Sequence, residues 1–146
     1  MDKDNKTTFD YLYRVTWQNI SKMYNEEAIK RNSLMTVGFV LVNIDYKNGT
    51  PSTALGPKMG IEPTSLSRTL KKMEENGLIY REKNPNDGRG VFIKLTDKGK
   101  EKREISKQII LTFDNKVREN LSQEQIDNFI EVTNVINELV INKRIF

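Results

Sequence analysis

The chain has 146 residues, a formal net charge of +4 and neither cysteine nor histidine. Its length favours one domain, and the missing residue types exclude disulfides, thiol redox chemistry, Cys/His zinc sites and catalysis by an imidazole. Absent cysteine fits a reducing compartment, and no segment reads as a signal peptide or membrane span, so we expect a cytoplasmic protein with no membrane partner.

Apolar periodicity predicts helices over the first half of the chain. The first, over residues 5–31, carries apolar side chains at three- and four-residue spacing: Phe9, Leu12, Tyr13, Trp17, Ile20 and Tyr24. A second, apolar almost all round, is predicted over residues 34–46, with Ser33 as its cap and Gly49 at its end. A short helix from Ser52 to Met59, a tight turn at Gly60 and a helix from Pro63 to the Asn76-Gly77 stop follow.

Two strands and two long helices are predicted for the second half. Residues 78–83 and 91–95 read as strands joined by a turn-rich loop, and Ile93 lies on the face expected to be buried. Thr96 is expected to cap a helix over residues 97–119, and Ser122 to cap the last helix. The predicted fold is therefore mainly α with a two-stranded hairpin, in the order α-α-α-α-β-β-α-α.

The helix from Pro63 has an apolar stripe of Leu66, Leu70 and Met73 opposite a polar, basic face. That face comprises Thr64, Ser65, Ser67, Arg68, Lys71 and Lys72. Arginine can bond a guanine edge twice, and hydroxyls can bond bases or phosphates, so this face suits a DNA major groove. The alternative is an ordinary amphipathic helix with a solvated face. The preceding short helix and tight turn favour a helix-turn-helix that holds a reading helix in the groove.

Charge along the chain points the same way. Residues 50–103 contain twelve Lys/Arg and seven Asp/Glu, whereas the rest of the chain is close to neutral. A local basic excess is expected where a protein meets a polyanion. At the hairpin tip, Arg89 lies between two glycines and close to Asp87, which suits an arginine that enters a narrow minor groove. The alternative here is a flexible loop with incidental charges.

These residues resemble a known family. The pattern Asp87-x-Arg89, then Ile93-x-Leu95-Thr96-x-x-Gly99, is similar to the wing signature of MarR-type winged helix-turn-helix regulators. Ser67-Arg68, the segment 73–79 and Arg81 extend the resemblance. It implies a single MarR-like domain over residues 1–146. Residues 33–96 would form the winged-helix DNA-binding lobe, and residues 5–31 and 97–146 the helical dimerisation region.

The resemblance also implies roles for individual residues. In such regulators, side chains placed like Ser65, Ser67 and Arg68 read or flank bases. Arg89 would enter the minor groove, and Asp87 would orient it. Glu62 departs from the small hydroxyl that usually precedes the helix proline, which leaves the capping contact open. The implied protein is a homodimeric repressor on pseudo-palindromic double-stranded DNA. We expect no cofactor and no metal, since the chain has no Cys or His ligands for zinc or copper.

Such regulators often respond to small aromatic or anionic effectors. The resemblance places an effector cleft between the dimerisation helices and the DNA-binding lobe, where Tyr13, Trp17 and Tyr24 are the candidate lining residues. Core packing is the alternative role for all three. The apolar side chains Trp17, Phe113, Phe129, Ile145 and Phe146 are hard to bury in one small lobe. They therefore favour a dimer over a three-helix bundle within one chain.

Two other classes of function compete with a DNA-binding regulator. A winged-helix module whose basic face meets an acidic protein remains an alternative to an operator-binding regulator. The sequence argues against an enzyme, because it lacks a phosphate loop ending in Gly-Lys-Ser/Thr and a cysteine or histidine nucleophile or base. Its adjacent glutamate pairs, residues 26–27 and 74–75, point about 100° apart on a helix and so cannot share an acid/base site.

Overall fold

The computed structural model describes residues 5–84, 86, 88 and 90–146. The chain divides into two compact units, one ending at Lys107 and the other comprising Gln108–Phe146. A single 3₁₀ turn, Asn5–Thr7, precedes the first helix. In the described part of the chain the helices and strands are α1 (Phe9–Ile29), α2 (Met35–Asn43), β1 (Thr50–Pro51), α3 (Ser52–Met59), α4 (Pro63–Glu75), β2 (Ile79–Lys83), β3 (Val91–Leu95), α5 (Asp97–Glu119) and α6 (Gln123–Ile141).

The mainly helical fold and the element order are confirmed, and one strand is added. The described residues form an antiparallel three-stranded sheet of order β1-β3-β2, with Thr50 opposite Ile93 and Ile79 opposite Leu95. The sequence predicted only the hairpin of β2 and β3. β1 was missed because a strand of two residues shows no periodicity. A proline also argues against a strand, because it has no N–H to donate, and Pro51 is accommodated here only because β1 is an edge strand.

Helix α2 is shorter than predicted, and its predicted cap is wrong. It begins at Met35 after Leu34, not after Ser33, and Leu34 has no side-chain acceptor with which to cap it. The helix ends at Asn43 because the Asp45 carboxylate accepts hydrogen bonds from the backbone N–H groups of Lys47 and Asn48, at 3.0 and 2.7 Å. Those bonds form a turn in place of further helix. The bond to Asn48 is the largest cause that lowers the pKa of Asp45.

The predicted caps at the starts of α5 and α6 agree with the structure. The Thr96 hydroxyl accepts from the Gly99 N–H at 3.0 Å at the start of α5. Ser122 and Gln125 form a reciprocal capping box at the start of α6. Gly49 has the predicted left-handed φ, at +74°, but its predicted role as the end of α2 is wrong, because that helix ends at Asn43 with Ile44 as its C-cap. None of the helices among the described residues is both long and apolar enough to span a membrane.

The core of the first unit lies beneath α4. Side chains from α2, α3, α4 and the sheet pack together there, and Ile93, Leu55 and Val40 are fully buried. The stripe predicted on the helix from Pro63 joins this core, with Leu66, Leu70 and Met73 all buried. The opposite face of α4 is thereby turned to solvent.

Candidate nucleic-acid interface

All six residues predicted on the polar face of α4 are exposed. They are Thr64, Ser65, Ser67, Arg68, Lys71 and Lys72. Among the described residues, none of the three cations on this face has a carboxylate oxygen within 4 Å. The positive charge of the face is therefore not neutralised by those residues and remains available to an external anion.

Local residues define where α4 begins and ends. Pro63 occupies the first turn, where its missing N–H costs nothing. Within the described chain, the Glu62 side chain makes no capping hydrogen bond, so the departure noted in the sequence does remove a cap. At the other end, Gly77 has a φ of +72°, and the N–H groups of Gly77 and Leu78 donate to the carbonyls of Glu74 and Met73. This is a Schellman motif, which stops the helix at the predicted place.

α3 and a tight turn support α4 from the preceding chain. Gly60 ends α3 with a φ of +62°, and the Ile61 N–H donates to the Gly56 carbonyl at 3.2 Å. Leu55 of α3 and Leu66 of α4 both lie in the buried core. The pair is thus a helix-turn-helix whose second helix presents its polar face outward.

Two ion pairs among the described residues involve the hairpin of β2 and β3. Arg81 Nε lies 3.3 Å from a Glu74 carboxylate oxygen at the end of α4, and Lys94 Nζ lies 3.0 Å from one of Glu82. The hydrogen bond to Glu82 raises the pKa of Lys94. These cations are neutralised within the lobe, unlike those of α4. Neither pair was predicted, because the partners come together only when the hairpin folds.

The hairpin loop closes through the Asn84 N–H, which donates to the Gly90 carbonyl at 2.9 Å. The Asn84 side chain accepts from the Asn86 N–H at 3.0 Å. Asp87 and Arg89, the predicted tip residues, lie outside the described residues. Their roles stay predictions from the sequence.

The predicted effector residues divide into a buried tyrosine and two more exposed aromatics. Tyr24 is 9% exposed and meets the Phe39 ring edge-on at 5.5 Å, whereas Trp17 is 51% exposed and stacks on Phe39 at 6.3 Å. Tyr13 is 36% exposed. Phe39 of α2, which the sequence analysis missed, thus joins two of the three candidates. Its place in an apolar helix provided no signal that separated it from ordinary core residues.

Comparison with known proteins identifies the family. The model of the MarR family matches residues 35–91, from α2 to the start of β3. The HTH-type transcriptional regulator SarZ of Staphylococcus saprophyticus is 31% identical over 137 residues, which span 88% of this chain and 93% of SarZ. The chain belongs to the MarR family.

Solved structures show the same fold for this MarR-family regulator. The Staphylococcus aureus MepR–DNA complex matches with a TM-score of 0.81 at 20% identity, covering 90% of this chain and 98% of MepR. The PcaV regulator of Streptomyces coelicolor, in complex with its natural ligand, matches at 0.77 and 18% identity, covering 94% and 96%. The predicted resemblance and winged-helix fold are confirmed. Such regulators are not enzymes.

Proposed function

We propose that this MarR-family regulator binds a pseudo-palindromic operator in duplex DNA as a homodimer. It acts in the cytoplasm as a repressor that a small aromatic or anionic ligand releases. One observation carries the proposal. The exposed face of α4 combines hydroxyls with three cations that no described carboxylate neutralises, while its other face is fixed in the core.

The division of cations within the lobe supports a role for α4 in reading DNA. Arg81 and Lys94 form ion pairs that tie the hairpin together. Arg68, Lys71 and Lys72 form none with the described residues. Exposed cations without an ion-pair partner can bind the phosphate backbone of DNA. An arginine can also recognise a guanine through two parallel hydrogen bonds. We therefore assign base reading to Arg68 and backbone contact to the two lysines.

Exposed apolar surface on α1, α5 and α6 supports the homodimer. Several large apolar side chains on these helices are at least two-fifths exposed in the isolated chain, among them Phe9, Trp17, Leu111, Phe129, Val135 and Ile141. Surface of this kind marks an interface in a soluble protein. A two-fold axis would place two reading helices about one DNA turn apart, roughly 34 Å. MepR, whose structure was solved with DNA, has the same fold.

A ligand-responsive role rests on the aromatic residues and on PcaV. The half-exposed Trp17 ring stacked on Phe39 offers an apolar face to a flat molecule. PcaV has the same fold and was solved with its natural ligand. We propose that Tyr13, Trp17 and Tyr24 contribute to an effector site in this chain.

Arg68→Ala tests the assignment of the reading helix. We expect specific binding to weaken by about 1–3 kcal/mol, the usual worth of a bidentate bond between an arginine and a guanine. An operator selected from fragments of the source genome would be titrated at several salt concentrations. Arg14→Ala is the matched control, because Arg14 is exposed on α1 and already paired with Asp10 at 3.2 Å. It removes one arginine without touching α4.

Arg89→Ala tests the second reading element on the same operator. Its loss should weaken binding most where the sites are flanked by A·T pairs, since narrow minor grooves attract arginine. If both arginine variants bind like the wild type, the assignment of the reading elements is wrong. If the wild type forms no saturable, competitor-resistant complex with any fragment, the regulator is instead a protein-interaction module.

A further inference from the structure

Two cations lie over the ring of Tyr46, just beyond the end of α2. Lys100 Nζ is 5.0 Å from the centre of the ring, and the guanidinium carbon of Arg103 is 5.8 Å from it. The two cations are three residues apart on α5, where like charges on neighbouring turns destabilise a helix. We propose that Tyr46, Lys58, Lys100 and Arg103 form a binding site for a phosphate group.

These four residues and Asp45, which we call the Tyr46 cluster, all belong to the first compact unit. Asp45 and Tyr46 lie in the turn after α2, Lys58 lies in the last turn of α3, and Lys100 and Arg103 lie near the start of α5. Tyr46 is 49% exposed, whereas Lys100 and Arg103 are half-buried. The cluster is thus partly embedded in the unit and still open to solvent.

Positive charge exceeds negative charge in the Tyr46 cluster. The carboxylate of Asp45 already accepts two backbone hydrogen bonds within its own turn, and the one from Asn48 is the main cause of its lowered pKa. The charges of Arg103 and Lys58 lower this pKa further, so both cations lie near the carboxylate. Among the described residues, no carboxylate oxygen is within 4 Å of Lys58, Lys100 or Arg103. The three cations therefore have no ion-pair partner in this part of the chain.

Arg103 differs in this respect from another arginine that lies over a tyrosine. The guanidinium carbon of Arg14 is 5.9 Å from the centre of the Tyr11 ring, but Arg14 also has the Asp10 carboxylate at 3.2 Å. Arg103 has no such partner among the described residues, and its Nε–H is covered without a hydrogen-bond acceptor there. A covered donor without an acceptor destabilises a fold. The Arg103 guanidinium would therefore gain from an oxyanion supplied from outside the chain.

A phosphate group suits the Tyr46 cluster better than a single carboxylate does. Arginine bonds phosphate oxygens through two parallel N–H groups, and lysine adds a compact point charge. Three cations and one carboxylate leave an excess of two positive charges, and a phosphate monoester carries about two negative charges at neutral pH. Two sources share this chemistry: a phosphorylated small molecule and the phosphate backbone of DNA.

Titration of the protein with inorganic phosphate tests the site without any DNA. Binding is followed by the NMR shifts of the backbone amides and of the Arg103 Nε–H, while phosphate replaces chloride at constant ionic strength. We expect saturable shifts at Tyr46, Lys58, Lys100 and Arg103. Arg103→Gln should weaken phosphate binding by about ten- to a hundredfold, the usual effect of losing a hydrogen bond between charged groups.

Arg14→Gln is the matched control, because it removes an arginine that lies over a tyrosine but already has a carboxylate partner. It should leave phosphate binding unchanged. If Arg103→Gln does not fold, Lys100→Gln decides instead and should weaken binding in the same way. The inference is overturned if the folded variant binds phosphate as tightly as the wild type does. Shifts that spread over all exposed lysines without saturation would also overturn it.

The salt dependence of operator binding identifies the source of the phosphate. If the Tyr46 cluster contacts the DNA backbone, Arg103→Gln should reduce the slope of log affinity against log salt by about 0.9. If the slope stays the same while phosphate binding is lost, the phosphate belongs to a small molecule. An unchanged slope together with a wild type that does not bind phosphate would overturn the site. The inference does not rest on the proposed function: if the wild type binds no operator, that function is contradicted, and the phosphate titration alone decides the site.

Discussion

At Gly99 the backbone of α5 comes so close to the Leu78 carbonyl that a hydrogen is the largest substituent it can accept. Glycine is therefore required here by close approach, and its φ is not in the left-handed region. The Leu78 carbonyl belongs to the main chain of a buried residue, so it cannot move aside as a flexible side chain would. This single position couples the chain that leaves α4 to the first turn of α5.

Gly99→Ala should therefore destabilise the lobe. We expect a loss of about 1–3 kcal/mol in the free energy of unfolding, the usual cost of forcing extra atoms into packed structure. Urea unfolding followed by circular dichroism would measure it. Gly88→Ala is the control, because an added Cβ there has no described atom within 4 Å. Equal stabilities of the two variants would contradict the close approach.

Among the elements, α4 is the one that the sequence predicted most completely. Its start, its stop, its buried stripe and its exposed face all agree with the structure. Each of these features depends on residues within one helix, where a periodicity of 3.6 is a strong signal. The helix is thus anchored by three buried side chains: Leu66, Leu70 and Met73.

Leu70→Ala tests that anchoring. Leu70 is 3% exposed, so its truncation should lower the free energy of unfolding by about 2–5 kcal/mol through lost burial and a residual cavity. Lys72→Ala, on the exposed face of the same helix, should change it by less than about 0.5 kcal/mol. Thermal or urea unfolding of both variants gives the comparison. A small effect at Leu70 would mean that α4 is not held by the core.

Other elements depend on partners that lie far along the chain. β1 exists because Thr50 meets Ile93, and α2 stops early because Asp45 forms a turn that leads into Thr50. The ion pair of Glu74 with Arg81 likewise needs the hairpin to fold against α4. No periodicity within a single segment encodes these interactions. The candidate DNA-binding face of α4 was accessible from the sequence, whereas the bonds that position it were not.

At the scale of the whole molecule, the proposed dimer should depend on the apolar surface of α6. Phe129→Glu places a charge on a side chain that is 60% exposed in the isolated chain. Since burying an unpaired charge is costly, the variant should dissociate into monomers at concentrations where the wild type is dimeric. Sedimentation equilibrium would measure the oligomeric state of the variant and of the wild type. Asn128→Glu, on the neighbouring exposed residue, is the control for added charge.

A wild type that sediments as a monomer at micromolar concentrations would contradict the dimer. The same result would remove the basis for a defined spacing between two reading helices. The Arg68→Ala and Arg89→Ala variants would still test whether a single lobe binds DNA. The oligomeric state and the reading face can therefore fail separately.

The central place of β3 in the sheet also determines when the lobe can be completed during synthesis. β1 leaves the ribosome before α3 and α4, but its pairing partner is made after both. Thr50 is buried against that partner, and pairings between distant segments form late because closing a long loop costs entropy. A nascent chain that ends between Glu75 and Val91 therefore contains every residue of α4 and still lacks a finished lobe. Premature termination in this interval should yield an incompletely folded product that is open to proteolysis.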